Sequence, residues 1–277
     1  MRRTLDQLPM PSLARNLRVW CGVVAAAAAL MVFAAPARAM IMQADDQATC
    51  VSGGGNVRAF MHAHRASVLR IVVPYDGPSN ALACASKATA DGYRVYLSIQ
   101  YDNAWRPRRV AAYFRATLAA FAPYAWAVSI GNEQDLVQGA PATGTKYRAI
   151  WNAVEPVLAH VAPRAIRVYG ETSPFGFPFL QDSFRAGRPR GAQVIAFHCY
   201  DVRDGGISVV PEVAAWASEH HLPLWCSEMS AALRRSPHLW LNRDSLSQWN
   251  ELVARMEAHS PDLKMVSYYR WPQIGAF

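Results

Sequence analysis

Eight short apolar runs, most of them followed by a segment with helical spacing, set the tightest limit on what this chain can fold into. They cover residues 41–44, 68–73, 93–99, 125–130, 165–169, 194–199, 222–226 and 264–269. Each is bounded by breaker-rich loops, as buried strands are. Between them, Val110, Tyr113, Phe114, Thr117, Leu118 and Phe121 make one helical face. Tyr147, Ile150, Trp151, Val154, Leu158 and Val161 make another, bent at Pro156, and Leu246, Trp249, Leu252, Val253 and Met256 make a third, with Asp244 as N-cap. Strands that alternate with helices pair in parallel through right-handed crossovers, and eight of them close most economically as a single (β/α)8 TIM barrel. A doubly wound open sheet is the alternative. Only six residues follow Trp271, so the expected barrel lacks its last helix. That flank is then covered by something else or favours association, and the sequence sets no oligomeric state.

Residues 1–39 stand apart. Arg2, Arg3, Arg15 and Arg18 precede a 17-residue apolar run from 19 to 35, and Ala37-Arg38-Ala39 fits a small-x-small cleavage site. This is the pattern of a secretory signal peptide cut before Met40, leaving one domain over 40–277 that is secreted or periplasmic, with no stable membrane span. An uncleaved anchor is the competing reading, since the run sits at the lower edge of spanning length. Without the leader the net charge falls from +8 to +4. No basic run interleaved with aromatics marks a nucleic-acid surface. Of the remaining cysteines, Cys50 and Cys84 are a plausible disulfide. Cys199 with Cys226 is less so, because strict alternation turns Cys199 away from His198 and gives Cys226 the facing of Glu228.

The informative side chains cluster at strand ends. Ser-Ile-Gly-Asn132-Glu133 closes the fourth run, and Trp-Cys-Ser-Glu228 follows the seventh, 95 residues later. Buried unpaired carboxylates are costly, so two at one end of a barrel suggest a paired site of the kind that breaks glycosidic bonds. Arg70 in the second run requires a carboxylate partner, expected to be Glu228, which the pairing would keep ionised. His198 and Tyr200 are two apart and share a facing, which lets Tyr200 donate to Glu228 and His198 set the ionisation of Glu133 or bond the sugar, while Trp271 follows the eighth run as a sugar-stacking indole. Glu171, after the fifth run, is read as holding a loop or touching a distal sugar. Asp45, Asp46, Tyr75, Asp76, Tyr101, Trp105, Phe175 and Asp201 follow strands and are open to subsite or ordinary loop roles. Ser52-Gly53-Gly54-Gly55 lacks the ending of a phosphate loop and reads as a turn.

The ordered set Arg70, Asn132-Glu133, His198-x-Tyr200, Glu228 and Trp271 on successive strands resembles clan A of the retaining glycoside hydrolases. The resemblance spans nearly all of residues 40–277. It implies Glu133 as general acid/base, Glu228 as nucleophile, Asn132 on the sugar 2-hydroxyl, and Arg70, His198, Tyr200 and Trp271 as substrate-binding residues. It implies an oligo- or polysaccharide substrate and no cofactor or metal. Glu133 then needs burial or a neighbouring negative charge to raise its pKa. The chain departs from the clan in its short C-terminus and in having Gln100-Tyr101-Asp102 where a substrate histidine is expected after strand three. Two other readings stand beside it. One is a noncatalytic carbohydrate-binding barrel. The other is a metal-dependent hydrolase built on His62-x-His64, which a helix over 57–66 disfavours by pointing the two imidazoles apart.

Overall fold

The computed structural model describes residues 41–45, 58, 61–62, 66–136, 142–199, 209–229 and 263–269. Their strands are β1 (Ile41–Asp45), β2 (Val68–Val73), β3 (Arg94–Ile99), β4 (Ala125–Ile130), β5 (Ile166–Thr172), β6 (Val194–His198), β7 (Leu224–Met229) and β8 (Leu263–Tyr269). Each pairs in parallel with the next, and β8 pairs back with β1 to close the ring. Five helices are described: α1 (Ser79–Ala90), α2 (Pro107–Phe121), α3 (Gly144–Val161), α4 (Phe177–Ser183) and α5 (Val210–Glu219). Arg58, Met61 and His62 are helical too. The leader, the 244–256 helix, Tyr200, Trp271 and the segment after it lie outside the described residues. Among those described, no helix is long and apolar enough to cross a membrane.

Helix starts and faces follow local chemistry. Pro107 opens α2, where its missing N–H costs nothing. The Thr143 side chain accepts the Lys146 amide at the start of α3. The expected faces of α2 and α3 are buried at Val110, Phe114, Leu118 and Phe121, and at Tyr147, Ile150, Trp151, Val154 and Leu158. They join the outward-facing strand residues Leu69, Ile71, Leu97, Val128, Tyr169, Phe197 and Cys226 in the large core between barrel and helices.

Inside the barrel a second cluster contains strand residues alone: Val68, Tyr96, Ala127, Val168, Val194, Ala196, Trp225 and Met265. Toward the C-terminal strand ends this apolar layer gives way to a polar one of Arg70, Ser98, Ser129, Glu171, His198, Glu228 and Ser267, all buried. On five strands the step from the apolar to the polar residue is two, as side-chain alternation requires: 68 to 70, 96 to 98, 127 to 129, 196 to 198 and 265 to 267. On β5 and β7 the step is three, 168 to 171 and 225 to 228. The register shifts at those places, between Gly170 and Thr172 on β5 and between Cys226 and Glu228 on β7. One extra residue in each strand turns a carboxylate inward that regular pleating would turn out. Glu171 and Glu228 thus lie within strands, not in the loops beyond them.

The same bulge corrects the cysteine expectation. Cys226 pairs in register with outward-facing Phe197, not with His198, and it is bonded to Cys199 across a sequence separation of 27. Ser227 is the extra residue, so Cys226 and Glu228 do not share a facing. A loop of this length corresponds to about 3–4 kcal/mol of chain-entropy stabilisation. Cys84 is also disulfide-bonded, and Cys50 lies outside the described residues.

Candidate active site

Arg70 is the hub of the polar layer. Its Nε donates to Glu171 Oε1 at 2.5 Å, one terminal nitrogen to Glu228 Oε1 at 2.8 Å and the other to Asn132 Oδ1 at 2.5 Å. The side chain is wholly buried, so a planar fork whose edges are all occupied has one orientation. The bond to Asn132 also orients that amide. Arginine only donates, so the carbonyl oxygen faces Arg70 and the amide nitrogen is directed elsewhere.

The segment that carries Glu133 holds two left-handed backbone positions. Gly131 has φ +86° and Glu133 itself φ +50°. A Cβ on Gly131 would stand 2.5 Å from the Gln134 side chain, so glycine is required there. The Glu133 amide donates to the Glu171 carbonyl at 2.9 Å. Asp135 receives both the amide and the hydroxyl of Ser173. The segments after β4 and β5 are therefore tied together, and the Glu133 carboxylate reaches His198 Nδ1 at 2.8 Å. His198 Nε2 lies 3.4 Å from Glu228 Oε1. One ligand-type atom from each of Glu133, His198 and Glu228 falls within 4.8 Å of the others. The structure thus brings together Arg70, Asn132, Glu133, His198 and Glu228 as a contiguous set.

The electrostatics differ from the expectation for Glu133. Burial pushes its carboxyl up, but the hydrogen bond and charge of His198, with help from Arg70, outweigh burial and leave it below the ordinary value. For His198, burial pushes down, while Glu228 and Glu133 push up more strongly, so the imidazole titrates above 6.5. Both shifts favour the charged forms, so the contact sets a carboxylate, not a neutral acid, against an imidazole that keeps its proton to higher pH than usual. The raised His198 stabilises the fold fully below its unfolded pKa, and that contribution is lost as pH rises through the folded pKa. The lowered Glu133 contributes above its unfolded pKa and loses this as pH falls through its folded one. The Tm difference between the wild type and His198→Gln is therefore expected to be largest between the unfolded pKa values of the two groups and to shrink on the alkaline side as pH rises through the folded pKa of His198. A difference that stays constant from about pH 5 to about pH 9 would contradict the pairing.

The Glu133–His198–Glu228 trio has donor atoms that suit a transition ion, yet the Arg70 guanidinium already bound to Glu228 places a fixed positive charge against any cation there. The rival histidine pair gains nothing: His62 is exposed on a helical segment, and His64 lies outside the described residues. Tyr101 is 2 % exposed within the outer core, so it lines no subsite. Tyr75 and Phe175, 48 % and 52 % exposed, stand beyond β2 and β5, and Trp105 packs edge-on against Tyr75 with Arg109 over its ring. Glu171, read as a loop or distal-sugar residue, is instead fully buried beneath the site. The one sequence signal that could have found it is Gly170 just after the apolar run, since a glycine within a strand often marks a bulge.

No family model matches the chain, and no curated protein matches it. Solved structures do. The family 26 endo-β-1,4-mannanase catalytic domain of Bacillus sp. JAMB-750 aligns with a TM-score of 0.54 at 13% identity, covering 84% of this chain and 78% of that one. A family 39 glycoside hydrolase from the gut symbiont Bacteroides cellulosilyticus WH2 gives 0.63 at 14%, over 87% and 58%. The endoglucanase catalytic domain from Thermobifida fusca gives 0.56 at 14%, over 83% and 78%. At these identities the likeness is one of fold.

Proposed function

From a chain whose fold is that of the clan A glycoside hydrolases, its family within the clan left open, we propose a hydrolase that cleaves β-linked oligo- or polysaccharide with retention, on a single eightfold barrel. The observation that carries this is the approach of Glu133 and Glu228, one oxygen of each within 4.8 Å, at the C-terminal ends of β4 and β7. Double displacement places the two carboxyls about 5–5.5 Å apart, whereas inversion leaves about 6.5–9.5 Å for a water.

In this mechanism Glu228, held by Arg70, attacks the anomeric carbon as the glycosidic bond breaks. Glu133 delivers a proton to the departing oxygen. That proton is held between Glu133 and His198, which reconciles an acid role with a lowered carboxyl: the neighbouring imidazolium supplies what the carboxyl releases. Glu133 then takes a proton from water as water displaces Glu228 and frees the sugar. Asn132, its carbonyl engaged by Arg70, presents its amide to the 2-hydroxyl. Tyr200 and Trp271 complete the sugar contacts. No cofactor enters the scheme. The leader is removed before Met40 and the enzyme works outside the cytoplasm, a location that the Cys199–Cys226 disulfide supports.

A panel of β-linked glycans, scored for new reducing ends, is the direct test. Glu133→Gln is expected to cut kcat by about 10²–10⁴-fold on substrates with poor leaving groups, and by much less on aryl glycosides whose leaving group needs no proton. Sugar binding without turnover anywhere in the panel would leave a carbohydrate-binding barrel in place of an enzyme.

A further inference from the structure

Glu171 has no part in the two-carboxylate chemistry, yet four side chains donate to its carboxylate. Arg70 Nε and Tyr96 Oη donate to its Oε1, at 2.5 and 2.9 Å. Ser98 Oγ, at 2.5 Å, and Ser129 Oγ donate to its Oε2. Its side chain is fully buried, and its backbone is held left-handed at φ +63° beside Gly170 at φ +97°. A Cβ on Gly170 would lie 2.8 Å from the Ala196 carbonyl oxygen, so the bulge that aims Glu171 inward depends on that glycine. Three donors and an arginine form an expensive arrangement unless it fixes something.

What it fixes is the fork. A guanidinium anchored along its Nε edge has its terminal nitrogens set, and here they meet Glu228 and Asn132. The backbone of the same residue accepts the Glu133 amide. We propose that Glu171 is a positioning residue for the catalytic pair, orienting Glu228 and Asn132 through Arg70 with its side chain and Glu133 with its main-chain carbonyl.

Charge supports the geometry. Arg70 faces Glu171 from β2, Tyr96 and Ser98 face it from β3, and Ser129 from β4. Burial and then the charge of Glu171 push the Tyr96 phenol well up, so it remains a donor. Arg70 also acts on His198, lowering it against the pull of Glu228 and Glu133. Removing the negative charge of Glu171 leaves more of the Arg70 charge to act on the imidazolium.

This rests on the glycoside hydrolase reading only for its kinetic arm. The test is Glu171→Gln, which keeps size and one acceptor, followed by two readouts. Steady-state kinetics on a hydrolysed β-glycan are expected to show kcat lowered by about 100-fold with KM within about twofold. NMR titration of the His198 ring is expected to show its midpoint moved to lower pH. A loss of Tm with both readouts at wild-type values would overturn the proposal, because a merely structural role moves only Tm. If the wild type hydrolyses nothing in the panel, the functional reading fails and the titration alone decides: an unmoved His198 midpoint overturns positioning, and a lowered one supports it. Should Glu171→Gln not fold, Ser129→Ala removes one donor to the same carboxylate and is judged by the same two readouts, with smaller shifts in the same directions.

Discussion

Glutamine at position 228 is expected to remove on the order of 10⁴- to 10⁶-fold of kcat, the scale on which one member of a cooperating catalytic set is lost. Glu228→Gln is close in shape and keeps an oxygen that Arg70 can reach, so the fold should survive and sugar affinity should change little. What disappears is the negatively charged oxygen that must form the bond to the anomeric carbon. Two further measurements make the result specific. A 2-fluoro glycoside should label a wild-type peptide containing Glu228 and leave the variant unlabelled. Glu228→Gly given azide should release the α-glycosyl azide from a β-configured aryl glycoside, because an external nucleophile entering the vacated space attacks the same face. Wild-type turnover in Glu228→Gln, or label on another peptide, would remove Glu228 from the nucleophile role.

Arg70→Met should give the largest loss of stability of any single change in the barrel. The arginine is fully buried and bonded to two carboxylates that are themselves nearly or wholly out of water. Removing one partner of a buried ion pair typically costs about 3–5 kcal/mol, because the remaining charge has no compensation. For a domain of this size about 1 kcal/mol moves Tm by roughly 2–4 °C, so Tm is expected to fall by about 10 °C. A single variant that melts with the wild type would show that Arg70 is not the hub its bonds describe.

Much of the architecture was legible because it rests on local chemistry. The strand runs, the buried faces of α2 and α3, and the meeting of Arg70 with Glu228 all follow from periodicity and from the need to pair a buried charge. What escaped is traceable to two bulges. Counting by twos from Val168 or Trp225 sends Glu171 and Glu228 to the outer face, and no residue pattern announces the extra residue except Gly170 beside it. Glu228 was singled out through its place in an ordered set of strand-end residues, and Glu171 had no such context. The Cys199–Cys226 bond was undervalued for the same reason, since it depends on the register of β6 against β7. The expectation for Glu133 failed differently. Burial was foreseen, and so was His198 as a residue able to set this ionisation, but which of the two effects wins is decided by a 2.8 Å contact between chain positions 65 apart.

The floor of the barrel has its own consequence. The rings of Trp126 and Trp225 stack with centres 5.3 Å apart, and Arg94 lies over the outer indole, so among the described residues aromatic surface lines the amino-terminal end of the strands. The polar groups of the barrel interior are gathered instead at the opposite, carboxyl-terminal mouth. In the proposed reaction, the water that ends a turnover would enter by the same mouth through which the severed part of the glycan leaves, and that shared route would keep the two halves of the turnover in sequence.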